Sequence, residues 1–270
     1  MSIDVASTAR ELLRAYDDGQ PLPASLSAQH PAGFDLATAY AIEAELVRLR
    51  RASGRRTVGL KVGFANKAMW RILKLETLVW AHMYDNTVHL SDGPAATHSL
   101  AGRVSPRIEP EIVFKLARAV EPGLTDPAAI LEAVEWMALG FEINDCVFPE
   151  WKFQPADFVA AFGFHTALVV GPRRAVTPED AGALATFTLR LSKNGVLVEE
   201  GAGKAALRSP ALCLGELASA IARQSVTAPL AAGDLVSTGT LTTPRQIAPG
   251  EMWTAEVEGL TLDAMTVTLS

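Results

Sequence analysis

The stretch RIEPEIVF, residues 107–114, carries Glu109 and Glu111 on either side of Pro110 in a run otherwise suited to a buried strand. Side chains two apart leave the same face of a strand, so the two carboxylates project together while Pro110 and Ile112 face the other way. Anions that close raise each other's pKa and weaken the fold unless a cation lies between them or water reaches both. Pro110 has no N–H to give a ladder, which puts this stretch at an edge, a bulge or the rim of a site. A hard divalent cation would compensate the pair, and Glu142 in MALGFEIND is a third candidate ligand. Three monodentate carboxylates around Mg2+ or Mn2+ leave coordination positions open for a chelating substrate. The plainer alternative is an exposed acidic face paired with Arg103, Arg107 or Lys115, and spacing alone does not choose between the two.

The elements that must position these residues fall into two parts. Residues 3–17 have helical spacing of apolar side chains, and a second helix starts after Asp35 as N-cap and closes at Gly54. This helical N-terminal portion spans 1–56. Over 57–270 the texture becomes short β-rich runs punctuated by Gly and Pro, with Asn194-Gly195 as a hairpin turn. Two helices interrupt them, one over 127–139 that ends just before Glu142 opens a short apolar strand, the other over 210–224 behind the Ser209-Pro210 start. Strands and helices do not alternate regularly, which argues against a doubly wound sheet or a TIM barrel and for an α+β fold with a mixed, mostly antiparallel β core. GAGK at 201–204 lacks phosphate-loop spacing, and no GxGxxG, GxSxG or HExxH is present.

Bulk properties narrow the function. A chain of 270 residues buries a core without disulfides or a structural metal. A net charge of −6 argues against nucleic acid as a partner. Two cysteines, Cys146 and Cys213, form no disulfide framework and no metal-ligand spacing. The acidic N-terminus does not read as a signal peptide and no run reaches about 18 uncharged apolar residues, so a cytoplasmic protein with no membrane partner is expected.

Six segments, taken in order, resemble the 2-keto-4-pentenoate hydratase / 4-oxalocrotonate decarboxylase family of the fumarylacetoacetate hydrolase superfamily. They are GLKVGFANKAMW (59–70), SPRIEPEIVFKL (105–116), ALGFEIND (138–145), EEGAGKAALRSP (199–210), LAAGDLVSTGTL (230–241) and IAPGEMWTAEVEGL (247–260). The resemblance implies a fumarylacetoacetate-hydrolase-like mixed β-roll, a Mg2+ or Mn2+ site formed by Glu109, Glu111 and Glu142, and a homo-oligomer. It further implies a lyase, hydratase or decarboxylase, that takes a 2-keto acid or 2-hydroxy-dienoate from the breakdown of aromatic compounds. Lys61 matches the family lysine and would meet the substrate's carboxylate or enolate oxygen; Thr238 and Thr240 match the segment near the bound acid.

The sequence also departs from that pattern. Cys146-Val147 stands where family members carry Ser-Arg, Ala161 to Phe164 (AFGF) replaces Asp-Asn-Ala-Ser, Ala65 replaces a Thr, and Val79 falls near an acidic position of the hydratases. Metal and chelation groups survive these changes, whereas groups that position water do not. Proton transfer then turns to His165 or His82, whose imidazoles can serve as acid or base. Two rivals stand beside the lyase: an acylpyruvate-type C–C hydrolase, and a non-catalytic binding protein that keeps the fold.

Overall fold

The computed structural model describes residues 3–224 and 226–270. The chain opens with α1 (Val5–Asp18), α2 (Leu26–Gln29) and α3 (Leu36–Ala52), followed by β1 (Thr57–Gly63), α4 (Lys67–Leu73), β2 (Val79–Tyr84), β3 (Val88–Leu90) and β4 (Ala95–His98). The middle holds β5 (Pro106–Leu116), α5 (Pro127–Leu131), β6 (Val134–Asp145), α6 (Pro155–Ala160), β7 (His165–Val170) and β8 (Arg174–Ala175). The last part comprises α7 (Asp180–Thr186), β9 (Thr188–Lys193), β10 (Val196–Ala202), α8 (Pro210–Arg223), β11 (Leu235–Ser237), β12 (Arg245–Gln246), β13 (Met252–Glu258) and β14 (Met265–Leu269).

Two sheets form the core. The larger runs β2-β1-β11-β5-β6-β7-β3, with β12 added to β5 and β8 to β6; the smaller runs β10-β9-β13-β14-β4. Most pairings are antiparallel, but β1 with β11, β3 with β7 and β4 with β14 are parallel, so the α+β, mixed-sheet expectation holds. Asn194 and Gly195, both at positive φ, turn β9 into β10. Asp35 caps α3 through Thr38 N–H, and α1 is pinned to the sheet where Tyr16 Oη donates to the carbonyls of Asp145 and Ala161. Among the described residues no helix is long and apolar enough to cross a membrane.

One expected element is different. The helix over 127–139 stops at Leu131, and Val134 already belongs to β6. The run 134–145 pairs with β5 from Leu116 opposite Val134 to Pro106 opposite Asp145, with one register shift at Glu135. That ladder outweighs the helical preference of Ala, Leu, Glu and Met in the segment. Glu142 therefore sits well inside a twelve-residue central strand rather than at the start of a short one.

Pro110 lies in the central strand β5, yet its lack of an N–H costs no ladder bond. β11 pairs with residues 113–115 and β12 with 107 and 108, and between them the neighbouring chain leaves the sheet. In that gap the Pro110 carbonyl accepts from Leu241 N–H and the Ile112 carbonyl from Thr238 N–H. The proline marks where a loop replaces a strand beside the site.

Candidate metal centre

Strand register assembles the three glutamates. Glu109 is directly opposite Glu142, and Glu111 is opposite Gly140, which presents no side chain. One carboxylate oxygen from each residue lies within 4.8 Å of the others. Glu111 and Glu142 are fully buried and Glu109 is half-buried, which removes the exposed acidic face as an explanation. Two of the three cations of that alternative have other partners: Lys115 pairs with Glu135, and Arg107 stacks on Trp151 at 4.0 Å from the ring centre.

The surroundings treat the three differently. Glu142 is held on both oxygens. Oε2 meets Lys61 Nζ at 2.9 Å and accepts from Asn144 Nδ2 at 3.1 Å, while Oε1 meets His165 Nδ1 at 2.9 Å. Burial opposes its ionisation, but the Lys61 ammonium and His165 hold its carboxyl below the usual range. Glu109 accepts from Asn144 Nδ2 at 2.7 Å. Burial pushes its carboxyl up to about 7, against the pull of Lys61 and with a push from the Glu142 anion. Glu111 receives Ser237 Oγ at 2.6 Å and Gly239 N–H at 2.8 Å, both on Oε2. Its Oε1 is buried with no partner among the described residues, and burial together with the anions of Glu142 and Glu109 drives its carboxyl well above the ordinary range. A buried carboxylate oxygen without a donor is costly. An all-oxygen donor set with that orphan fits a hard divalent cation.

Lys61 reaches this cluster from β1, where it is 1% exposed. Its Nζ also donates to Asn144 Oδ1 at 3.2 Å and to the Gly163 carbonyl at 2.9 Å, and lies 4.6 Å from the Phe158 ring centre. Gly59, two residues before it, is at φ +147, and a Cβ there would come within 1.9 Å of the Leu235 carbonyl oxygen; this close approach lets β1 pair with β11. Phe162, Gly163 and Phe164 all have positive φ, a left-handed turn costly for the two phenylalanines. A Cβ on Gly163 would sit 2.8 Å from Lys61 Cδ. The AFGF stretch thus serves the site through a backbone carbonyl rather than a polar side chain.

Above the cluster opens a pocket of about 690 Å³. Lys61, Glu109 and Asn144 lie at its floor, Phe64, Trp151, Phe153, Phe158 and Phe164 form apolar walls, and residues 239–243 with Glu199 line the rest. Thr240 is among these, its hydroxyl donating to the Thr242 carbonyl. Thr238 is fully buried with its hydroxyl on the Ile112 carbonyl, so it shapes the turn that presents Gly239 N–H to Glu111. His165 lies behind Glu142, its second nitrogen on Thr87 Oγ1 at 2.9 Å. His82 is not brought to the cluster: Lys61 pairs with Ala81, so His82 leaves the opposite face and meets Glu43 at 2.7 Å. Asn144, Ser237 and Gly163 are additional contacts of the site. Asn144 follows Glu142 by two residues, so the alternation that joined Glu109 to Glu111 also points to it; no sequence signal marks a Gly163 carbonyl.

The chain belongs to the fumarylacetoacetate (FAA) hydrolase family, since residues 77–268 match the model of the FAA hydrolase C-terminal domain. It is 31% identical to a 2-hydroxyhexa-2,4-dienoate hydratase of Comamonas testosteroni over 88% of either chain. It is 30% identical to a 4-oxalocrotonate decarboxylase of Pseudomonas sp. (strain CF600) over 83% of this chain and 82% of that one. The solved structure of 4-oxalocrotonate decarboxylase from Pseudomonas putida G7, complexed with magnesium and adipate, superposes with a TM-score of 0.87 at 26% identity, covering 98% of this chain and 97% of that one.

Proposed function

We propose that this chain is a divalent-metal-dependent lyase that hydrates or decarboxylates a 2-keto acid or its 2-hydroxy-dienoate tautomer in the catabolism of aromatic or related compounds. The observation that carries the proposal is the buried meeting of Glu109, Glu111 and Glu142, with one partnerless oxygen, beneath an apolar-walled pocket. Relatives that are hydratases and decarboxylases of such acids support it. In this reading the three glutamates hold Mg2+ or Mn2+, which when bound supplies Lewis acidity toward the substrate carboxylate and 2-oxygen.

The chain's own groups do the rest. Lys61 keeps a fixed ammonium beside the floor and is the residue that meets the acid end or the enolate oxygen and holds a proton at Nζ. Its three N–H groups already meet Glu142, Asn144 and Gly163, so a substrate oxygen takes the place of the longest of these, Asn144 Oδ1. Thr240 engages the acid from the pocket's side wall. The phenylalanines and Trp151 receive the hydrocarbon part and exclude water, which strengthens every charge interaction at the floor. His165 acts as a positioning residue that keeps Glu142 oriented from behind. Organisation as a soluble cytoplasmic homo-oligomer, with a helical portion 1–56 and a catalytic domain 57–270, belongs to the same proposal.

The test is a titration with Mg2+ or Mn2+ and oxalate, a chelating enolate mimic, followed by a panel of 2-hydroxy-dienoates, oxaloacetate and acylpyruvates watched by ultraviolet loss of the dienol or keto chromophore. Turnover of a dienoate or its keto acid is expected. Oxalate binding without turnover of any of them would leave a binding protein. Unchanged metal affinity and activity in Glu109→Gln and Glu142→Gln would remove the proposed metal site altogether.

A further inference from the structure

A second cavity, of about 320 Å³, lies behind the metal-site residues, on the far side of the Glu142–His165 pair. Arg50, Arg103, His89 and His98 line it together with Tyr84 and Thr87. Among the described residues no residue lines both this cavity and the pocket above the glutamates. Its chemistry is the reverse of the other's: the lining offers donors, and Asp17 is its one carboxylate.

Among the described residues two of those donors lack partners. Tyr84 is 3% exposed and its hydroxyl is buried without a hydrogen bond; Arg50 Nε is likewise buried and unbonded, although Nη2 meets Asp17 at 3.1 Å. The Arg50 guanidinium is fixed in place by the rings of Phe162 and Tyr84, 5.2 and 6.0 Å away. The His89 and His98 rings stand 5.5 Å apart. A guanidinium nitrogen and a phenol hydroxyl with unmet hydrogen-bonding capacity are what a small oxyanion satisfies.

We propose that this cavity is a binding site for a small oxyanion of the carboxylate or phosphate type, distinct from the metal centre. The proposal does not rest on the lyase reading, because none of the residues it uses lies in the pocket above the glutamates. The bound anion would take Tyr84 Oη and Arg50 Nε as donors and be balanced by Arg103. It would also touch Thr87 and His165, the pair that holds Glu142 from behind. Burial, then His89 and Arg103, push His98 down to about 4, a depression that an anion beside the ring would oppose.

The experiment is calorimetric titration of the full chain, metal-free and saturated with Mg2+ and oxalate, using succinate and inorganic phosphate as separate probes. Binding of at least one probe in both states is expected, since oxalate occupies the other pocket, and the stronger probe identifies carboxylate or phosphate as the preferred chemistry. Arg103→Gln should weaken binding tenfold or more and Glu109→Gln should leave it unchanged. In the wild-type chain, imidazole NMR should show the His98 pKa rising as the probe saturates, a readout that does not depend on any variant folding. Absence of binding by both probes would overturn the site, as it would if a second copy of the chain sealed the cavity. Binding lost in Glu109→Gln but kept in Arg103→Gln would assign the anion to the metal centre and equally overturn it.

Discussion

The β6 side of the carboxylate cluster and its β5 side are built from the same residue type and behave as opposites. On β6, Glu142 is met by Lys61, Asn144 and His165, so the protein itself supplies the charge and donors that keep it ionised. On β5, among the described residues, Glu111 is given donors on one oxygen only, and Glu109 has Asn144 alone among side-chain donors. Burial is comparable for Glu111 and Glu142, so burial is not what separates them. The difference teaches that one arm of the cluster is satisfied within the fold, while the other leaves an oxygen without a donor among the described residues, the gap that the proposed cation fills.

The largest expected effect breaks the complete side. Glu142→Gln leaves the buried Lys61 ammonium without its counter-ion and should destabilise the metal-free protein by about 3–5 kcal/mol in chemical denaturation. Glu111→Gln instead replaces a carboxyl that the metal-free fold pushes toward its protonated, neutral form, and should leave metal-free stability unchanged or raised, while both variants lose metal affinity. Equal destabilisation by the two would erase the contrast. Next in size, Lys61→Met should lower turnover by about 10²–10⁴-fold, the range of a lost acid or base, with oxalate binding measured in parallel to separate chemistry from folding. His165→Asn should then weaken metal binding by about 10–100-fold, as loss of an orienting partner does, detected by competition with a chromophoric chelator.

A pH series sharpens the same comparison. The Glu109 carboxyl titrates at about 7 in the fold, above its ordinary value, so the unfolded chain binds fewer protons than the folded one between the two values. The Glu109 share of metal-free stability should therefore fall as pH rises from about 4.5 to about 7, and saturating Mg2+ should flatten that fall because the ion replaces the proton. The depressed His98 contributes an opposite slope over part of this window, so the Glu109 share is read by thermal unfolding as the difference between the wild-type chain and Glu109→Gln, with and without Mg2+; a metal-free difference that rose with pH would contradict the assigned carboxyl. The smallest effect is Thr238→Val, about 1 kcal/mol in stability for one hydrogen bond to the Ile112 carbonyl.

Much of this was legible in the sequence because it follows from local rules. Alternation put Glu109 and Glu111 on one face, the missing N–H of Pro110 announced an interruption beside the strand, Asp35 declared its cap, and Asn194-Gly195 its turn. The motifs pointed to the family to which the chain belongs. What local rules miss is pairing between distant segments. Residues 134–139 read as helix until β5 offers a ladder, and only that ladder sets Glu142 opposite Glu109. Likewise, nothing near His82 or His165 in the chain tells which of them approaches a glutamate of the cluster. Strand parity against Lys61 turns His82 away, while the β6–β7 register carries His165 behind Glu142. The sequence by itself determined which side chains bear charge and how they alternate; the tertiary structure decided which charges are left uncompensated, because compensation depends on distance and burial, and both are properties of the packed chain.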